Sequence, residues 1–268
     1  MKTVTREDTL QMLNKVPEVT LYFWIIKIMA TTVGETAADF LNFDLHFGLN
    51  GTALLMSALL AVFLLLQLRA RKYVPALYWL VVVLISIVGT LITDGLVDNF
   101  GVPLETTTIA FGLALLATFA IWYASEKTLS IHSIITTPRE LFYWAAILFT
   151  FALGTAAGDL AAEGLQLGYA TSTLMFGVMI ALVTIAYYVF KTNAVLAFWI
   201  AYVLTRPLGA SFGDYLSQAT ADGGLGLGTV LTSVLFLSSI AGLVLYLTMS
   251  ISRRDIQAQT ANAVGRKP

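Results

Sequence analysis

Eight apolar stretches, each about as long as a helix that crosses a bilayer, dominate the chain and limit what it can fold into. They fall near residues 19–41, 48–68, 75–97, 104–124, 139–162, 170–190, 194–217 and 228–250. Strands of a transmembrane barrel alternate in polarity over about ten residues, and runs such as Ala53 to Leu66 show no such alternation, so helices are the expected element. Charged residues are 12% of the 268 positions, against roughly 25% in soluble domains, which excludes water as the main solvent. No basic cluster points to nucleic acid, and the absence of cysteine rules out disulfides and thiolate metal sites. Residues 1–20 lack the apolar core of a signal peptide, so the first apolar segment is expected to stay in the mature protein.

The connecting segments give an orientation. Lys2, Arg6 and Lys15 precede the first stretch, Arg69, Arg71 and Lys72 follow the second, and Lys127 and Arg139 flank the fourth-to-fifth link. Lys191 follows the sixth, and Arg253, Arg254, Arg266 and Lys267 follow the eighth. The opposite loops hold only acids, among them Asp44, Asp98, Glu105 and Asp222. By the positive-inside rule the basic side is cytoplasmic, with both termini inside. Lys27 and Arg206 are the two basic residues that fall within the apolar stretches.

An internal repeat organises these stretches. Trp24, Trp79, Trp144 and Trp199 are each followed ten residues later by Gly34, Gly89, Gly154 and Gly209, and fifteen residues later by Asp39, Asp94, Asp159 and Asp214. No gap is needed within the motif. The even stretches open in a similar way, with Gly48, Pro103, Gly168 and Gly226 ahead of Thr52, Thr106, Thr171 and Thr229. Each unit therefore spans two helices, and all four units enter the membrane from the same side, unlike inverted repeats. The expected division is a cytoplasmic arm at 1–18, repeats at 19–72, 73–135, 136–192 and 193–251, and a cytoplasmic tail at 252–268. The expected architecture is an all-α membrane protein, with four quasi-equivalent hairpins around a pseudo-symmetry axis.

The fourfold Trp, Gly and Asp pattern, running from about Lys15 to Ile251, resembles a bacterial family of integral membrane proteins built from four tandem two-helix repeats with a signature tryptophan. The resemblance implies the architecture and a multi-pass place in the inner, or plasma, membrane. That family has no assigned activity, so it carries no site residues to this chain, and function has to come from the chemistry of the repeated positions.

A helix rises about 1.5 Å per residue, which puts each Asp about 22 Å beyond its Trp, in the outer third of a core about 30 Å thick. A carboxylate there costs roughly 2.5–3.5 kcal/mol on insertion scales. Two readings answer that cost. Each Asp accepts hydrogen bonds from a neighbouring helix or meets surface water, or else the four converge on a wet cavity that binds cations or protons. Glu35, one turn before Asp39, adds a fifth acid, and its counterparts are Thr90, Thr155 and Ala210. Divergence at one matched position makes Glu35 the leading candidate for a specific role. Lys27, three residues after Trp24, is placed to snorkel to the cytoplasmic interface, with charge balance as its other role. Arg206 lies deeper, ahead of Pro207, and is expected to pair with a carboxylate or carbonyl as a gate or charge balance. The tryptophans read as interface anchors and the glycines as close helix crossings.

Glu35, Asp39, Asp94, Asp159 and Asp214 thus form a candidate metal site of hard oxygen ligands, suited to Mg²⁺ or Mn²⁺. If all five ionise, Lys27 and Arg206 leave three negative charges unbalanced, so protons or cations must neutralise some of them. No hydrolase, metalloprotease or phosphate-loop motif is present, and the expectation is not an enzyme. The expected function is a small transporter or channel for a divalent metal or a proton-coupled cation. A structural or cofactor-holding subunit, or a proton-coupled exporter of a small organic solute, uses the same residues. The sequence names no cofactor, and its small residues allow a compact monomer or a dimer.

Overall fold

The computed structural model describes residues 14–264. Of the basic residues used to orient the chain, Lys2, Arg6, Arg266 and Lys267 lie outside that range. The described residues form eight α-helices: α1 Leu21–Asp39, α2 Gly48–Arg69, α3 Pro75–Asp94, α4 Leu104–Glu126, α5 Thr137–Asp159, α6 Tyr169–Phe190, α7 Ala194–Ser217 and α8 Thr229–Val264. Seven of them are long and apolar enough to cross a membrane. The exception is α1, which carries Lys27 and Glu35 among its nineteen residues.

Local signals set the ends. Pro75 opens α3 and Pro138 lies in the first turn of α5, where a missing N–H breaks no helical bond. Asn193 caps α7 by accepting from the N–H groups of Val195 and Leu196. Lys127 and Lys191 close α4 and α6 in the left-handed region, at φ of 56° and 54°. Three of the odd helices end in a π-helical turn that begins directly after the repeated Asp, at Phe40–Asp44, Gly95–Asn99 and Leu160–Gly164. The fourth, α7, runs on as α-helix to Ser217.

The odd helices form an inner ring and the even helices surround it. In α3, α5 and α7, half to two-thirds of the most apolar window is buried, against 6–22% in α2, α4, α6 and α8. α1 packs on α3, α3 on α5, α5 on α7, and α7 back on α1. The repeated glycines make this ring tight. A Cβ at Gly34 would collide with Ser86, at Gly89 with Phe151, at Gly154 with Arg206 and at Gly209 with Thr31. Each contacted residue lies seven positions after the next repeat's Trp, so one rule runs around the ring and returns to its start. Gly158 meeting Ala210 repeats the same offset one turn on, which makes the inner helices parallel. Small residues at crossings are how helices approach in lipid, where no hydrophobic force draws them together.

The outer helices correct the expected hairpins. α2 packs mainly on α3, α4 on α5, α6 on α7, and α8 returns to α1. Each outer helix therefore serves the following repeat; α2, α4 and α6 meet their own repeats mainly through the π-turn, and α8 touches α7 directly. Cover by α8, α3 and α7 also explains why α1 tolerates so polar a sequence. On their outward faces the outer helices show bare apolar side chains such as Leu54, Leu116, Leu174 and Phe190, as contact with acyl chains requires.

The tryptophans differ from the expected anchors as well. Trp79, Trp144 and Trp199 are buried in an aromatic core with Tyr78, Tyr143, Tyr202 and Phe198. Trp199 donates to the Leu129 carbonyl at 2.9 Å and Trp79 to the Tyr73 hydroxyl at 3.2 Å. Indole is wide enough to fill the end of a four-helix ring, and that use wins over the interface. At the same end the buried pair Lys15–Glu140, at 2.6 Å, ties the segment before α1 to α5. Gln67 of α2 donates to the other Glu140 oxygen at 3.2 Å.

Candidate functional site

Parallel inner helices with a shared glycine crossing turn the same face toward the axis in every repeat, and that face recurs about every fourth residue. Counting from each Trp, the third residues are Lys27, Val82, Ile147 and Tyr202, and the seventh are Thr31, Ser86, Phe151 and Arg206. The eleventh are Glu35, Thr90, Thr155 and Ala210, and the fifteenth are the four Asp residues. All twelve residues of the first three layers are buried. The axis is therefore a stack of four-residue layers in which the repeats differ from one another.

Arg206 crosses that axis. Its Nη2 donates to Glu35 Oε2 at 3.0 Å, to Thr155 Oγ1 at 2.6 Å and to Thr90 Oγ1. One guanidinium nitrogen thus holds the eleventh-position residues of the other three repeats, and the fourth, Ala210, is small. Nη1 donates to the Thr31 carbonyl at 3.3 Å. Gly154 faces the Arg206 stem, and the space left by its missing Cβ admits the arginine. Of the two partners expected for Arg206, a carboxylate or a carbonyl, it has both, in Glu35 and Thr31.

Beyond this plug the axis opens into a cavity of about 150 Å³ lined by Glu35, Asp39, Asp94, Asp159 and Asp214. All five candidate acids share one space. Glu35 and Asp214 are buried, while Asp39, Asp94 and Asp159 are half-buried. One oxygen each from Glu35, Asp159 and Asp214 lies within 4.8 Å of the others. Oxygens so spaced can share one ion at metal–oxygen distances of about 2.1–2.5 Å. Gln218 approaches Asp39 at 3.5 Å, the one side-chain donor near it among the described residues.

Asp98 and Glu163 also line the cavity, together with Asn42 and Gln218, and the sequence reading missed them. Asp98, Glu163 and Gln218 each lie four residues after a repeated Asp, the first two within a π-turn and Gln218 at the C-cap of α7. A search for polar residues one turn beyond the motif would have found all three. The inward aim of Asp98 and Glu163 depends on the wider π-turn, which no residue pattern along the chain marks.

Lys27 does not snorkel. Its side chain is fully buried, with Nζ 4.3 Å from the centroids of both the Phe151 and the Tyr202 rings. The expectation failed because the Trp level is an aromatic core several residues deep, so the stem has no interface within reach. Nearer the Trp end, the Tyr78 and Tyr143 hydroxyls hydrogen-bond each other.

Fold and site together define a multi-pass, all-helical membrane protein of four tandem repeats, with an acidic cavity on the repeat axis. Residues 22–73, 77–128, 142–193 and 197–252 each match the family model described as Repeat of Unknown Function (DUF347), and the chain belongs to that family. No curated protein and no solved structure matches the chain.

Proposed function

We propose that the protein moves a small cation across a membrane, with Glu35, Asp39, Asp94, Asp159 and Asp214 as its binding cavity and Arg206 as its gate. The cation is a divalent metal such as Mn²⁺ or Mg²⁺, or one exchanged for protons. In this reading all eight helices span the bacterial plasma membrane, both termini are cytoplasmic, and the protein is not an enzyme. The observation that carries it is the convergence of five acids from four repeats on one cavity closed by a guanidinium.

Carboxylates so close together repel unless cations or protons intervene, and hard oxygen donors select hard ions. The cavity is smaller than the roughly 300 Å³ at which organic-ligand pockets begin, which favours an ion over an organic solute. Arg206 is the counter-ion of Glu35, and an arriving cation displaces it and opens the axis. The test is flux of Mn²⁺ and Mg²⁺ into liposomes carrying wild type, Glu35→Gln, Asp159→Asn or Asp214→Asn. Removing charge at constant shape should abolish flux in folded variants. Unchanged flux in all three, or none in wild type for either ion or for protons, would overturn the reading.

A further inference from the structure

Eight residues before Glu35, about 12 Å down the same face of α1, Lys27 places an amine that the cation cavity does not use. Its Nζ is buried against the faces of Phe151 and Tyr202, and among the described residues no atom accepts a hydrogen bond from it. Phe151 and Tyr202 are themselves axial residues of the third and fourth repeats, so the cage belongs to the axis rather than to a side pocket.

Arg206 and Glu35, the buried charges next along the axis, pair with each other. Lys27 has only ring faces. A desolvated cation–π contact is worth about 2 kcal/mol, below the several kcal/mol that burying an ion costs. The amine can therefore gain or lose its proton without breaking an ion pair or a hydrogen bond.

We propose that Lys27 is the proton-exchanging group of this axis: the ammonium fills the cage while the acid cavity is empty, and Nζ releases one proton when a cation enters. This rests on the cation reading of the cavity. The step is R–NH3⁺ to R–NH2 plus H⁺; only an N–H bond breaks, the electron pair stays on nitrogen, and the proton leaves toward the Trp end. Hydroxyls lie that way, with Tyr202 forming the cage wall and Tyr78 and Tyr143 beyond it.

The coupling is electrostatic. The charged and titratable groups around Lys27 are Arg206 and Tyr202 from α7, Tyr143 from α5, Tyr78 from α3 and Glu35 from α1 itself. The covering helix α8 contributes Tyr246, which packs on Tyr22 and not on Lys27. While Glu35 pairs with Arg206, the carboxylate offsets part of the guanidinium's charge at Lys27. A cation that takes Glu35 leaves the guanidinium uncompensated beside the ammonium, and loss of the Lys27 proton relieves the repulsion.

The experiment uses full-length protein in detergent, with Mg²⁺ as the probe. Calorimetry measures Mg²⁺ binding, a pH dye in weak buffer counts the protons released, and ¹⁵N-lysine NMR follows Nζ, assigned by its loss in Lys27→Arg. Wild type should bind Mg²⁺ and show the Lys27 signal move from ammonium to amine. Lys27→Met should bind Mg²⁺ but release about one proton fewer per ion. Lys27→Arg, which keeps its charge, should bind roughly fivefold or more weakly. An ammonium signal unmoved at saturating Mg²⁺, or equal proton release from wild type and Lys27→Met, overturns the proposal while leaving the cation site intact. Absence of Mg²⁺ binding to wild type overturns both. The NMR arm needs only wild type and the conservative Lys27→Arg to be folded for its outcome to count.

Discussion

Arg206 shows how much one side chain can depend on its surroundings. Its guanidinium is fully buried, and among the described residues Glu35 is its one ionic partner, at 3.0 Å. Removing either member leaves the other charged and buried, which costs about 3–5 kcal/mol in known pairs. Arg206→Ala should therefore lower thermal stability by that order, while Arg206→Ala combined with Glu35→Gln should recover part of it. A melting series in detergent checks this, and a double variant no more stable than Arg206→Ala would contradict the pairing. The same reasoning predicts a comparable loss for Glu140→Ala, which strands Lys15, read by the same melts. Sequence chemistry led to the expectation of a carboxylate or carbonyl partner for Arg206, because an arginine so deep in an apolar stretch is costly without one. It misjudged Lys27, because snorkelling depends on what lies around the stem, and the aromatic core at that level comes from three other repeats.

At the scale of the helix, the repeated glycine is a spacer whose strictness varies with its neighbour. Gly154 has no room for a methyl beside Arg206, whereas Gly112 and Gly177 on the outer helices meet only a leucine methyl at 3.9 Å. Gly154→Ala should displace the arginine and destabilise the ring by about 1–3 kcal/mol, as overpacking does. Gly112→Ala and Gly177→Ala should stay within about 0.5 kcal/mol of wild type, like other uncrowded surface changes. Equal melting temperatures for all three would refute the close crossing. Helix positions were legible because apolar length and the Trp, Gly and Asp spacing survive in every repeat. The π-turns were not, since Phe40–Asp44, Gly95–Asn99 and Leu160–Gly164 share no composition that marks a wider turn.

Across the molecule, closure is the organising fact. Each outer helix supports the next repeat's inner helix, and α8 completes the circle on α1. Cutting the chain in the linker near Ser130 leaves each half with an outer helix lacking its seat and an inner helix lacking its cover. The two halves, co-expressed, should copurify as a pair, and each alone should be unstable; stable separate halves would contradict the exchange. The sequence revealed the parallel sense of the repeats through the order of the motif. It was silent on which helix covers which, because spacing along the chain does not record contacts across it.

In the proposed function the four repeats bring their carboxylates to one ion. Equilibrium binding of Mn²⁺ to the purified protein, read by loss of the free-ion resonance signal, tests it most directly. Wild type should bind Mn²⁺, and Glu35→Gln, Asp159→Asn and Asp214→Asn should each weaken that binding, because their oxygens lie within 4.8 Å of one another. Folded variants that bind Mn²⁺ as wild type does, or a wild type that binds none, would contradict the account.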